Sequence, residues 1–167
     1  MSTIPWVRRI TFTRPADTTQ YTAGDAVSDN ATTPTAATFL LSGLSTQTGS
    51  GGIIRSVSLY KSDQDLTTAS FQVNFFDTQP AAAGWEDNAP IAITDAEWQR
   101  SIGMVQLLTG THGFTAVTGD IYTRSGLDLP YQYVTGDSPI YVVLTAAAAY
   151  TPASGEAITL IVSGEQF

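Results

Sequence analysis

Cysteine is absent from this sequence and histidine occurs only once, and both facts restrict the chemistry that the chain can perform. Without cysteine there is no disulfide framework and no thiolate nucleophile. A zinc site needs several histidine or cysteine ligands, which the chain does not supply. The one histidine, His112, lies in Gly110-Thr-His-Gly, a predicted turn, and no Gly-x-Ser-x-Gly motif accompanies it. We therefore expect a surface histidine, no enzyme activity and no cofactor.

Long apolar runs are also missing. The longest, Ile140–Ala149, is interrupted by Thr145 and is shorter than the roughly 20 residues that a membrane-spanning helix needs. The first nine residues lack the apolar segment of a secretory signal. We expect no association with a membrane, and the absence of cysteine is compatible with folding in a reducing cytoplasm.

Basic residues are few and unevenly placed. The net charge is −8, which argues against a general nucleic-acid-binding protein. Three of the seven basic residues, Arg8, Arg9 and Arg14, lie in the first fourteen positions, and all 15 acidic residues follow them. A basic leading segment on an acidic body could dock on an acidic partner, with Trp6 beside it. The alternative, which we favour, places Arg8 and Arg14 on the outer face of an edge strand.

Alternating polar and apolar residues organise the chain, above all in Gly52–Asp77. Two alternating runs, ending in Leu59 and beginning at Phe71, flank a short polar link and predict a long antiparallel hairpin. Residues 4–14 alternate as well, and Pro5 favours an edge strand or arm there. We predict an all-β fold, an antiparallel β-sandwich or jelly roll, with an N-terminal arm at 1–14 and one domain at 15–167.

The remaining elements follow from shorter patterns. Thr94 and Glu97 fit a capping box, which predicts one short helix near residues 95–100. The strands near the C-terminus have apolar residues at both odd and even positions, which point to opposite faces of a strand. We therefore expect these strands to be central and covered on both faces, by the domain itself or by another subunit. The other predicted strands are Gln20–Val27, Ala37–Leu44, Ile102–Leu108, Phe114–Val117, Asp120–Thr123, Tyr131–Val134, Pro139–Ala147 and Ala157–Ser163.

Carboxylates and aromatic residues offer two further kinds of site. Asp63 and Asp65 could hold calcium, although no EF-hand pattern surrounds them. The adjacent Glu86 and Asp87, and the pair Asp25 and Asp29, resemble solvated loop acids more than a glycosidase pair. The aromatic residues could form a sugar-stacking platform, although core packing is the commoner role. They are Trp6, Trp85, Trp98, Tyr131 and Tyr133, with Trp85 as the best candidate for an exposed anchor.

The order of several short segments resembles a family of small all-β head proteins of tailed bacteriophages. The resemblance covers about residues 50–165, and the first 45 residues do not contribute. It rests on Leu59-Tyr-Lys-Ser, Ala69-Ser-Phe-Gln-Val-Asn-Phe-Phe-Asp, Pro80, Asp87-Asn-Ala-Pro-Ile-Ala-Ile-Thr-Asp with its short helix, and Ala147–Tyr150 followed by Thr151-Pro-Ala-Ser-Gly-Glu and a final strand.

These proteins are capsid decoration, or cement, proteins. The resemblance implies a virion protein on the capsid exterior, made in the bacterial host cytoplasm, whose partner is the major capsid protein of the same phage. It also implies a homo-oligomer, with a trimer favoured over a dimer. A tail or fibre component of the virion and a carbohydrate-binding jelly roll are the alternatives.

Overall fold

The computed structural model describes residues 3–44, 50–62, 69–108, 114–116, 119–132 and 139–167, and these residues contain nine strands. The single α-helix among them is α1, Asp95–Trp98, and short 3-10 turns occupy Ala36–Thr38 and Ala82–Gly84. The strands are β1 Ile4–Thr13, β2 Leu40–Leu41, β3 Gly51–Lys61, β4 Phe71–Phe76, β5 Ser101–Leu107, β6 Phe114–Ala116, β7 Gly119–Gln132, β8 Ile140–Ala146 and β9 Ala157–Gln166.

The strands form two antiparallel sheets, which confirms the all-β sandwich. A five-stranded sheet has the order β1-β9-β3-β7-β6, and a four-stranded sheet has the order β2-β8-β4-β5. Without β6, every connection between successive strands crosses from one sheet to the other, except the β4–β5 hairpin. This is the strand order of a jelly roll, to which β6 adds a short edge.

The predicted hairpin over Gly52–Asp77 is wrong. Both strands exist, but β3 pairs with β7 and β9 while β4 pairs with β5 and β8. Val57 and Leu59 of β3 and Phe71 and Val73 of β4 are fully buried in one core. Alternation identified the core-facing residues of both strands, but it left Asn74 on a solvated face although that side chain is fully buried, and it carries no information on which strand lies alongside.

Two other predicted strands differ from the structure. Ala37–Leu44 contains only the two-residue β2, because its apolar side chains enter the core from an irregular segment. Gln20–Val27 makes isolated bridges at Tyr21, Asp25 and Ala26 instead of a strand.

The predictions for Asp120–Thr123 and Tyr131–Val134 fall largely within a single strand, β7. In the pairing of β7 with β3, Ser125 lies opposite Ser56 and Leu129 lies opposite Ile54. Three residues of β7 therefore lie opposite the single residue Arg55 of β3. Gly126 has φ +70° in this bulge, a conformation that glycine adopts without the steric cost of a side chain. The turn residues in the sequence therefore mark a bulge within the strand.

The edge position of the first strand, the central position of the last two strands and the capped helix are confirmed. Among the described strands, β1 pairs only with β9, β8 lies between β2 and β4, and β9 lies between β1 and β3. β8 is buried on both faces, whereas β9 alternates and leaves one half-buried face. Thr94 Oγ1 accepts a hydrogen bond from Glu97 N, and the Glu97 carboxylate accepts one from Thr94 N. No helix among the described residues is long and apolar enough to cross a membrane.

Candidate functional site

A buried ion pair closes one end of the sandwich and accounts for Arg14. Arg14 follows β1 and turns inward, where its Nη2 donates to Asp87 Oδ2 at 2.9 Å. Arg14 Nε donates to the Tyr21 hydroxyl, which in turn donates to Asp87 Oδ1 at 2.6 Å. The same oxygen accepts a hydrogen bond from Ser28 N at 2.9 Å. Burial, the neighbouring Tyr150 and the Asp87 carboxylate raise the pKa of Tyr21 above its ordinary value of 10.0, so it stays a proton donor.

A second buried ion pair lies beside the first. Lys61 Nζ, at the end of β3, donates to Glu156 Oε1 at 2.6 Å, and both side chains are inaccessible to solvent. Tyr150 stacks on Tyr21 with ring centroids 4.9 Å apart, and Lys61 Nζ lies 5.4 Å from the Tyr150 ring. The stacked rings join the two pairs into one cluster of buried polar side chains. We call Arg14, Tyr21, Lys61, Asp87, Tyr150 and Glu156 the buried ion-pair cluster.

The buried ion-pair cluster connects parts of the chain that are distant in sequence. It ties the end of β1 to the loops around residues 21–28 and 85–88, to the end of β3 and to the β8–β9 connection. The six side chains are buried, so no substrate can reach them without opening the domain. We assign the cluster a structural role, since removing one partner of a buried pair leaves an uncompensated charge.

The structure corrects the predicted exposure of Trp6, Arg14 and Trp85. Trp85 is 2% exposed, and its ring packs edge-on against that of Phe39 with ring centroids 5.1 Å apart, so it is not an exposed anchor. Trp6 is buried, and its Nε1 donates to the Tyr131 hydroxyl at 2.9 Å. Arg14 belongs to the buried ion-pair cluster, not to the outer face of β1. These three side chains cannot contact a partner in the folded domain.

The other two arginines of β1 differ from each other. Arg8 is half-buried, and its guanidinium donates to the backbone oxygens of Ser42, at 2.7 Å, and Gly43. It fastens the loop after β2 to the edge of the other sheet. Arg9 is exposed, and it makes no ion pair with any residue that the structure describes. Of the predicted docking residues, only Arg9 presents its charge fully to solvent.

The outer face of the five-stranded sheet carries few charges. Hydroxyl pairs cross its strands: Thr11 and Thr159 at 3.0 Å, and Ser56 and Ser163 at 2.6 Å. Arg55 bonds to Asp128 at 2.9 Å, so that cation is already compensated. The cross-strand positions of this face are Pro5, Val7, Arg9 and Thr11 on β1; Thr159, Ile161, Ser163 and Glu165 on β9; Ile53, Ser56, Ser58 and Tyr60 on β3; and Ile121, Thr123, Ser125 and Pro130 on β7.

Apolar side chains are exposed near the start of β1. Val7, on the outer face, is 49% exposed, and Ile4, which has the parity of Trp6 and so lies on the opposite face of the strand, is 56% exposed; the exposed Phe167 follows β9 at the same end of the sheet. Together with Arg9 they give β1 a surface that is apolar and cationic on an otherwise acidic molecule. We call Ile4, Pro5, Val7, Arg9, Thr11 and Thr13 the exposed surface of β1.

The candidate carboxylates do not form a reactive pair in the described parts of the chain. Asp25 accepts hydrogen bonds from the backbone and hydroxyl of Thr22, and Asp29 accepts one from Thr35 N, as loop acids do. The described residues contain no group of three or more potential metal ligands. His112, Asp63, Asp65 and Tyr133 lie outside the described residues.

Open grooves lined by described residues are candidate small-ligand sites, and two of them are considered for this role. One, of about 460 Å³, lies between β5 and β7 and is lined by Met104, Leu108, Leu127 and Arg124. The other, of about 320 Å³, lies on the outer face of the four-stranded sheet and includes Trp98. Sequence reasoning missed the second groove. The sequence did contain an indication of it, because the polar residues Gln72 and Asn74 of β4 alternate with apolar residues and so lie on one face of the strand.

The sequence was also compared with known proteins. No protein-family model matches it, and no curated protein matches it.

Proposed function

We propose that this chain is a virion structural protein that decorates the capsid of a tailed bacteriophage, binding the outside of the head and stabilising it. The jelly-roll strand order supports the proposal, because viral capsid proteins are among the proteins that use it. The segment order around Ala69–Asp77 and Asp87–Asp95 supports it as well, through its resemblance to cement proteins. The lack of a metal-ligand cluster in the described residues fits a structural part.

The exposed surface of β1 is the observation that carries the proposal. β1 has ten residues, and its one neighbour among the described strands is β9; its outer face is open to a partner, whereas Arg8 holds the loop at Ser42 and Gly43 against its other edge. On the outer face Val7 offers apolar area, and Arg9 offers a cation without an ion pair to another described residue. Such a surface suits an apolar patch with a carboxylate on the major capsid protein.

Symmetry would multiply these modest contacts. One β1 surface buries too little area for tight binding alone, but a homo-oligomer, which we propose to be a trimer, engages several capsid subunits at once. The weakly charged outer face of the five-stranded sheet adjoins β1 and offers area for contacts between copies. The oligomer would clamp neighbouring capsid subunits on the virion exterior, after synthesis in the host cytoplasm.

The first test is the copy number of the protein in purified virions, measured by quantitative mass spectrometry against the major capsid protein. A decoration protein gives a ratio near one or a simple lattice fraction such as two-thirds or one-third. A handful of copies per particle would place it instead in the tail, a fibre or a vertex. Absence from the particle would refute a virion role altogether.

The second test addresses the surface itself. Capsids lacking the protein are incubated with purified wild type, with Arg9→Glu and with the matched control Arg124→Glu, which reverses an exposed cation on β7. We expect Arg9→Glu to weaken capsid binding at least about tenfold, roughly 1.4 kcal/mol, and the control to leave it nearly unchanged. Equal binding by Arg9→Glu and wild type would remove the exposed surface of β1 from the mechanism.

A further inference from the structure

The smaller groove lies on the sheet opposite to β1. Its floor is a row across three strands, Thr145 on β8, Gln72 on β4 and Gln106 on β5, with Asn74 in the next row. Trp98 of α1 forms one wall. The remaining lining residues are Ala23, Gly24, Ile91, Ala146 and Ala147.

The floor of the groove is neutral and held in a fixed orientation. Gln72 Nε2 donates to Asn74 Oδ1 at 2.9 Å, and Asn74 Nδ2 donates to the backbone oxygen of Val143 at 3.2 Å. Thr145 Oγ1 donates to the backbone oxygen of Gln72 at 3.4 Å. Within the described residues, neither Oε1 of the Gln72 side chain nor the side-chain amide of Gln106 makes a hydrogen bond. Amides both donate and accept, which is what a ligand hydroxyl needs.

Trp98 gives the groove an aromatic wall. Trp98 is 37% exposed, and its indole packs on the buried ring of Phe76, with ring centroids 5.4 Å apart. The capping box of Thr94 and Glu97 fixes the short helix that carries it, and Glu97 Oε1 also accepts a hydrogen bond from Ala81 N at 2.6 Å. An indole positioned in this way offers a flat apolar surface beside a row of amides.

We propose that this groove binds a neutral glycan. The indole of Trp98 would cover the apolar face of one pyranose ring, and the amides of Gln72 and Gln106 would bond to its hydroxyls. Among the described residues that line the groove there is no arginine or lysine to attract an acidic sugar and no carboxylate to attract an amino sugar. A volume of about 320 Å³ accommodates one or two sugar rings.

The glycan site does not depend on capsid binding. β1 belongs to the five-stranded sheet and the groove to the outer face of the four-stranded sheet, so the two surfaces lie on opposite sides of the sandwich. A protein attached through β1 would therefore keep the groove exposed to solvent. The chain could hold a capsid on one side and a cell-surface or soluble glycan on the other.

The test is an NMR titration of the isolated ¹⁵N-labelled protein with maltotetraose, cellotetraose, mannotetraose and lacto-N-neotetraose. We expect saturable shifts of the Trp98 indole N–H and of the Gln72 and Gln106 side-chain amides with at least one of them, with a Kd on the order of 1 mM. Trp98→Ala weakens that binding at least about tenfold, whereas Trp98→Phe retains most of it. Tyr60→Ala, which removes an aromatic ring from the opposite sheet, is the matched control and leaves the Kd unchanged.

Gln106→Ala provides a second variant at an exposed position outside α1, in case Trp98→Ala disturbs the helix. Amide spectra of both variants report whether the fold is kept. The proposal is overturned if none of the four oligosaccharides gives saturable shifts at about 20 mM, well above the expected Kd. It is also overturned if the shifts map to the Tyr60 side or if a folded Gln106→Ala protein binds as wild type does. A charged sugar such as sialyllactose binding more tightly than the neutral ones would contradict the neutral lining. Since no capsid is present, either result leaves the capsid proposal to its own tests.

Discussion

Replacing Asp87 by asparagine tests the structural role of the buried ion-pair cluster. The carboxylate accepts three hydrogen bonds, from Arg14 Nη2, from the Tyr21 hydroxyl and from Ser28 N. Asparagine has nearly the same shape and can keep Oδ1 toward Tyr21 and Ser28. Its Nδ2 then faces Arg14, so two donors oppose each other, and the buried guanidinium keeps only the partly exposed Asp17, at 3.9 Å, as a counterion.

The expected loss follows from that uncompensated charge. Breaking a buried ion pair by removing one partner costs about 3–5 kcal/mol. For a domain of this length, each kcal/mol lowers the Tm by about 2–4 °C, so Asp87→Asn should unfold roughly 6–20 °C below wild type. The free energy of unfolding is measured by urea denaturation at 25 °C with circular dichroism, and the Tm by calorimetry.

A double-mutant cycle separates the pair from its surroundings. Arg14→Met removes the cation and keeps much of its apolar stem volume. If the pair acts as a unit, the double variant Arg14→Met/Asp87→Asn is less destabilised than the sum of the single variants, by at least about 1 kcal/mol. A cost below about 1 kcal/mol for Asp87→Asn, or strict additivity in the cycle, would refute the reasoning.

Three further predictions concern other contacts. Gly164→Ala should destabilise the domain by about 1–3 kcal/mol in urea denaturation, because a Cβ there would lie 2.3 Å from a backbone oxygen of β3 and 2.6 Å from the Trp6 ring. Ser125→Ala, at an exposed position on the outer face of β7, is its near-neutral control. Tyr131→Phe removes the acceptor of the buried Trp6 N–H and should cost about 1–3 kcal/mol; wild-type stability would contradict this. Hydrogen bonds from Thr94 and Ala81 lower the pKa of Glu97 below its ordinary 4.5. Its contribution to stability is therefore present above about pH 4.5 and is lost as the pH falls through the folded-state pKa, and Glu97→Gln should flatten the stability–pH curve there.

Local patterns predicted the strands and the helix more successfully than their arrangement. The alternation in residues 4–14 gave β1, and the capping box at Thr94 gave α1, because both signals depend on neighbours in sequence. The partner of β4 could not be derived in this way. Its apolar side chains, such as Phe71 and Phe75, can be buried against an apolar core whichever strand lies beside β4, so they do not identify the neighbouring strand.

The misassigned site residues have a common cause. Asp87 follows Glu86 in a polar loop and has the sequence context of a solvated acid, yet its partner Arg14 lies 73 residues away. Trp85 has an exposed-loop context for the same reason, although its ring fills a gap beside Phe39. Whether a loop side chain is buried depends on the element that packs over it. The sequence of the loop has no periodic pattern from which that element could be predicted.

The pairing of β1 with β9 also determines when the fold can be completed. Ile4 lies opposite Gln166, so the first strand of the sheet obtains its neighbour only when the last strand has been synthesised. This gives the domain a high contact order, for which folding in milliseconds to seconds is typical of β-rich domains. Until β9 arrives, the strand that we propose for capsid attachment has no paired edge. Docking competence should therefore appear only once β9 has been synthesised and has paired with β1.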